Sequence, residues 1–92
     1  MNITVITNGI PVEVEPEPHT TLRELKTIAR KESGCDGKPY GAAEDWEFKN
    51  SDGHILEDQK TIERLMHEGI ISPLPNNAST MIWLCLKAGH GA

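Results

Sequence analysis

Six consecutive apolar residues, Met81 to Leu86, stand near the end of the chain, and a small uncharged tail, Ala88-Gly-His-Gly-Ala92, follows them. A run that is apolar on both faces suits a strand in the middle of a sheet. Alanine, glycine and histidine in the tail offer little to pack, so mobility is expected there. Ser79–Ala92 therefore reads as a central strand feeding a free, threadable terminus. The rest of the chain reads as the platform that carries it.

At 92 residues the sequence suits one domain. A chain of this size buries roughly 60–65% of its unfolded surface, enough for one small core without staples. The expected division is a folded unit over 1–87 and a flexible tail over 88–92. Nine basic and 14 acidic residues give a formal charge of −5. That balance argues against a nucleic-acid or anionic-membrane surface, which needs clustered Lys and Arg. The apolar runs are far too short for a membrane span, and the first residues carry no secretory pattern. A cytoplasmic monomer is the expectation. Cys35 and Cys85 make neither a disulfide framework nor a zinc site. Cys85, in the apolar strand, is expected in the core, and Cys35, beside Gly34 and Gly37, in an exposed loop. His19, His54, His67 and His90 show no ligand spacing, so neither a metal nor another cofactor is expected.

Met1 to Thr7 alternates, with Met1, Ile3, Val5 and Thr7 on one face and Asn2, Thr4 and Ile6 on the other. Asn8-Gly9 then separates it from a second alternating run, Ile10, Val12 and Val14. Both turn residues tolerate positive φ, which predicts a tight hairpin. Pro11 cannot donate a ladder hydrogen bond, so the second strand belongs at a sheet edge. Its acidic face, Glu13, Glu15 and Glu17, is a solvated surface or a means of steering a basic partner.

Pro16 and Pro18 stop that strand. Thr21 and Glu24 have capping-box spacing, and Leu22, Leu25, Ile28 and Ala29 form one apolar stripe. Arg30 and Lys31 suit the last turn, and Gly34 suits the residue after it. A helix over 21–33 follows. Residues 35–45 read as a loop, and Trp46–Lys49 as a third strand. Asn50–Gly53 is a turn, His54–Leu56 a short fourth strand, and Thr61–Glu68 a short helix with Ile62, Leu65 and Met66 inward. Gly69–Ala78 is a loop. The result is an α+β fold, a mixed sheet of four to five strands with one crossing helix. A helix covers only one face of a sheet. Met81, Trp83 and Cys85 are expected beneath it, leaving Ile82, Leu84 and Leu86 as an apolar stripe with Ile6 on the open face. The competing expectation is that the loop holding Ile70, Ile71 and Leu74 covers that stripe.

Several blocks, in order, resemble ubiquitin and its β-grasp relatives. They are Met1–Thr7 with its glycine turn, then Val12–Pro16 with Thr21-Leu22 and a helix ending Lys-Glu-Ser-Gly34. Ile55-Leu-Glu-Asp58 with Lys60-Thr-Ile62 comes next, and finally Ser79–Leu86 running on to Gly89. The resemblance covers most of the chain and is broken around 35–45 and 66–78. It implies a ubiquitin-like β-grasp with the last strand between the first and third. It further implies a bacterial ubiquitin-like modifier. The tail Gly89, His90, Gly91 and Ala92, trimmed of Ala92 by a JAMM-type peptidase, would be activated by an E1-like enzyme. An E2-like enzyme would then pass it to target amines through an isopeptide bond.

The departures from that family are local. Ubiquitin ends in two glycines; here Gly89 matches the first, His90 replaces the second, and Gly91-Ala92 follow. Its recognition patch would be recentred on Leu84, with Ile82, Leu86 and Ile6. Its chain-forming lysine in the short-strand turn is His54 here, whereas Lys26 matches a helix lysine. No catalytic group is expected, so the chain reads as a modifier and not an enzyme. The alternatives are a non-conjugated protein-binding module working through the Leu84 patch, or a sulfur carrier ending in a thiocarboxylate.

Overall fold

The computed structural model describes residues 1–87. The Asn8-Gly9 signal forms the expected two-residue turn, with φ of 50° and 81°. It joins β1 (Ile3–Thr7) to β2 (Ile10–Val14) in antiparallel register, Thr7 opposite Ile10 and Ile3 opposite Val14. Beyond β2 comes α1 (Leu22–Ser33), followed by two single 3₁₀ turns, Lys38–Tyr40 and Ala43–Asp45. The chain then forms β3 (Trp46–Lys49), β4 (Ile55–Leu56), α2 (Ile62–His67), a 3₁₀ turn at Pro75–Asn77, and β5 (Thr80–Leu86). The sheet order is β2-β1-β5-β3-β4. β5 lies parallel to β1 and antiparallel to β3, between the two, and β2 is an edge. The architecture is the α+β fold anticipated from the residue pattern.

The two helix starts secure each other. Thr21 caps α1 by accepting the Glu24 N–H, and Thr61 caps α2 by accepting the Arg64 N–H. Each cap occupies one of the first-turn donors that a helix leaves unmatched. The others cross over: Leu22 N–H donates to the Lys60 carbonyl and Arg23 N–H to that of Asp58. In return, Ile62 N–H donates to the Thr20 carbonyl and Glu63 N–H to that of Pro18. The capping box expected at α1 is only half formed. The Glu24 carboxylate accepts from the Thr21 hydroxyl, not from its backbone N–H.

α1 lies over one sheet face. Leu22, Leu25 and Ala29 meet Ile3, Val5, Phe48, Ile82 and Leu84 there, all completely buried. Ile62, Leu65 and Ile71 close one end of this core. Leu22, Leu25 and Ala29 of the expected α1 stripe are buried, but Ile28 is not, and two basic side chains are buried beside them. Ile28 is 43% exposed, while Lys26 (1%) and Arg30 (7%) are buried. Long basic side chains can lie along apolar surface when their heads find acceptors. Lys26 Nζ donates to the carbonyls of Ala43 and Trp46 and to the Asp58 carboxylate. Arg30 donates to the carbonyls of Cys35 and Gly41, and its guanidinium stands 5.7 Å from the centre of the Trp46 ring. These two side chains hold residues 35–46 against α1.

The cysteines also exchange roles. Cys35, expected in an exposed loop, is 1% exposed because the turn after α1 folds it back under Arg30. Cys85, expected in the core, is only half-buried, on the opposite sheet face.

Candidate recognition face and the exit of the last strand

The register of β5 decides which of its side chains can meet a partner. Ile82 pairs with Val5 and Leu84 with Thr7 on one side, and Leu84 pairs with Phe48 on the other. Paired residues share a face. Because Val5, Thr7 and Phe48 face the helix, so do Ile82 and Leu84, both with no exposed surface. The expected partner stripe Ile82, Leu84 and Leu86 is therefore inverted. Ile82 and Leu84 are core. Leu86 shares their side, opposite Trp46, and is 37% exposed where the strand ends. Of the four expected partner residues, Ile6 alone stands on the open face.

Met81, Trp83 and Cys85 occupy that open face instead. One row crosses all five strands: Pro11 opposite Ile6, Ile6 opposite Trp83, Trp83 opposite Lys49, and Lys49 opposite Ile55. Trp83 is its half-buried centre, and Ile55 at its end is 62% exposed. A second row runs from Glu13 through Thr4 to Met81, which is 47% exposed. Cys85 lies opposite Glu47, whose carboxylate is 3.7 Å from Lys49 Nζ. Trp83 with Ile6 and Met81 thus forms an apolar centre flanked by charge, the composition of a recognition surface.

Glu13 ties the border of this face together. Its carboxylate accepts from the Thr4 hydroxyl at 2.6 Å and from the Ser79 hydroxyl at 2.9 Å, linking β2, β1 and the entry to β5. Those two hydrogen bonds, Thr4 first, hold its carboxyl below the ordinary glutamate pKa, because they favour the charged form. Glu68 is lowered in the same direction by hydrogen bonds from Lys60 and Arg64.

β5 leaves the sheet beside the second 3₁₀ turn. Lys87 N–H donates to the Asp45 carbonyl at 2.8 Å, so the loop that Lys26 and Arg30 anchor also holds the end of the strand. The expected conjugation residues Gly89, His90, Gly91 and Ala92 lie outside the described residues. Lys26, matched by resemblance to a chain-forming lysine, has its amine enclosed by three acceptors and is no surface nucleophile. Among the described residues, no three His, Cys, Asp or Glu side chains gather closely enough to hold a metal ion. No helix among them is long and apolar enough to cross a membrane.

The family model described as "Protein of Unknown function (DUF2604)" matches residues 1–92. The chain belongs to that family. A curated relative, "Uncharacterized protein y4jI" of Sinorhizobium fredii (strain NBRC 101917 / NGR234), is 36% identical over 62 residues. The match takes in 67% of this chain and 45% of that protein, so the chain spans less than half of the relative. Among solved structures, the one described as "Crystal structure of ATBAG1 in complex with HSP70" matches with a TM-score of 0.64 and 11% identity. It covers 97% of this chain and 41% of the other. That likeness is one of fold. With the mixed sheet and its crossing helix, it makes this member of the family a ubiquitin-like fold.

Nothing in the sequence revealed Trp83 as the centre of the open face. Six apolar residues in a row carry no parity signal. A usable clue was the neighbour strand, since Val5 on the strongly apolar side of β1 has to lie beside one member of the run.

Proposed function

We propose that this chain is a ubiquitin-like modifier of the bacterial kind. Cleavage after Gly91 would free a glycine carboxylate. An E1-like enzyme would adenylate it with release of pyrophosphate, and an enzyme thiolate would displace AMP to form a thioester. An E2-like enzyme would carry that thioester to a lysine, whose amine would form the isopeptide bond and release the thiol. The chain itself supplies no catalytic group in this scheme and acts as the substrate of those enzymes. A JAMM-type peptidase suits the cleavage step.

One observation carries the reading. The central strand β5 ends at the Lys87–Asp45 hydrogen bond, and the sequence that follows is the small-residue stretch Ala88-Gly-His-Gly-Ala92. A carboxylate that must reach a buried active site needs a stretch without bulky or branched side chains. His90 is the one large residue in it.

The test is reconstitution with the E1-like enzyme of a host that carries the family. A chain ending at Gly91 should form a thiol-sensitive adduct in the presence of ATP. The same chain with Gly91→Val, or with residues left in place beyond Gly91, should not.

A second reading is favoured by Trp83. The row Pro11, Ile6, Trp83, Lys49 and Ile55 is a surface on which a non-conjugated binding module could act. Deleting 88–92 would then leave binding intact, and Trp83→Ala would remove it.

A further inference from the structure

The hairpin turn contains a reactive pair that lies outside the chemistry proposed above. Asn8 is followed by Gly9, and both are exposed. In such a pair the glycine nitrogen can give its proton to hydroxide and bond to the asparagine Cγ. The side-chain amide then departs as ammonia and a five-membered succinimide is left. Water opens that ring at either carbonyl, giving aspartate or isoaspartate, and in isoaspartate the backbone runs through the side-chain carboxyl. Gly9 has no Cβ to crowd the attack, and even an added Cβ would meet nothing within 4 Å. Among the described residues, no group accepts from the Gly9 N–H and none holds the Asn8 carboxamide. No other asparagine in the sequence precedes a glycine. Asn50, in the other exposed turn, precedes Ser51, and its Oδ1 accepts from the Asp52 and His54 N–H groups. Asp52 precedes Gly53, but that N–H donates to the Asn50 carbonyl. Asp36 precedes Gly37, and a carboxylate receives such an attack far less readily than a carboxamide.

The turn itself decides when the reaction can run. Successive φ values of 50° and 81° are those of the mirror-image turn of tight hairpins. Its first residue has ψ of about +30°. Ring closure needs the Gly9 nitrogen and the Asn8 Cβ eclipsed about the Cα–C bond. At that ψ they stand about 150° apart, on opposite sides of the bond. We propose that Asn8 is a conformation-gated deamidation site, preserved by the closed hairpin and converted when the hairpin opens. The Thr7–Ile10 and Val5–Val12 pairs and the Asn8 N–H bond to the Leu84 carbonyl hold the turn shut. β2 is paired on one side only, so it can leave while β1 stays in the sheet. The conversion is not undone by reclosing. Isoaspartate adds a backbone atom to a two-residue loop, so the tight turn and the Thr7–Ile10 register are lost. The row in which Ile6 stands between Pro11 and Trp83 shifts with them. The chain then carries a lasting record of having opened, an isoaspartyl carboxylate that a carboxyl methyltransferase can read. This site is independent of the tail and of conjugation.

The test incubates the full chain in mildly alkaline buffer, with and without denaturing guanidinium chloride. The readout is the gain of one dalton on the tryptic peptide Met1–Arg23, placed at Asn8 rather than Asn2 by fragmentation. Methyl transfer from S-adenosylmethionine by an isoaspartyl-specific methyltransferase then identifies the product. Conversion at Asn8 should be at least about tenfold slower in buffer than in denaturant, since only the open fraction reacts. Val12→Ala thins a position of β2 that is 6% exposed. It should speed conversion in buffer and leave the rate in denaturant unchanged, and Asn8→Asp should abolish the mass gain at that position. The proposal is overturned by equal rates in buffer and denaturant. It is also overturned if Val12→Ala lowers stability without speeding conversion in buffer, or if Asn8 stays intact in the unfolded chain.

Discussion

The ammonium of Lys26, on α1, lies 2.5 Å from the Asp58 carboxylate. Lys26 has three N–H donors, and the carbonyls of Ala43 and Trp46 take the other two. One side chain thereby joins α1, the loop after it, the start of β3 and the turn before α2. Asp58 keeps 37% of its side chain exposed, so the charge pair is half in water.

Replacing Lys26 by methionine keeps the buried stem and removes all three donors. Two carbonyls and a carboxylate then lose their partner. The expected loss is about 2–4 kcal/mol by chemical denaturation, below the cost of splitting a fully enclosed pair because Asp58 reaches solvent. Lys26 should also resist acylation of the native protein by an amine-reactive ester that modifies exposed Lys31 and Lys38. Acylation of Lys26 at their rate would contradict the enclosure.

The facing of β5 is testable by truncation. Ile82→Ala empties a fully packed site and should cost about 2–5 kcal/mol. Met81→Ala, one residue away on the open face, should cost less than about 1 kcal/mol. Equal losses, or the reverse order, would return the strand to the orientation expected from the sequence.

Glu13 gives a pH-dependent prediction. Its carboxyl titrates lower folded than unfolded, so its contribution is present above the ordinary glutamate range and is lost as pH falls through the depressed value. Carbon-detected NMR titration should place its midpoint below the ordinary glutamate value. Thr4→Val should raise it, and Ser79→Ala should raise it less. A Glu13 midpoint at or above the ordinary glutamate value in the native protein would refute the hydrogen-bond assignment.

Much of this architecture is legible in the sequence, and the reason is locality. Asn8-Gly9, Pro11, Thr21 with Gly34, and Asn50–Gly53 act within a few residues of themselves. They therefore fix turns, an edge strand and helix ends wherever the chain goes. The sidedness of β5 is not local. Met81–Leu86 offers apolar residues at every position, and only the register against β1 and β3 selects Ile82 and Leu84 for the core. The burial of Lys26 and Arg30 was hidden for a related reason. Their acceptors come from Cys35, Gly41, Ala43, Trp46 and Asp58, most of them in a loop whose shape depends on those same two side chains. Helical spacing alone places Ile28 in the core. With Lys26 and Arg30 drawn inward, the helix turns its buried stripe away from it. The candidate site suffered most, because its parity followed from β5.

Conjugation leaves a mark that can be read directly. Trypsin cuts after Lys87, so a target lysine joined to Gly91 would retain Ala88-Gly-His-Gly91 on its ε-amine. Mass spectrometry of tryptic peptides from a cell that carries the protein should find lysines bearing this four-residue remnant, and Gly91→Val should remove them. The chain recovered only with Gly91 uncleaved from the residues after it, and no lysine carrying the remnant, would contradict the modifier account.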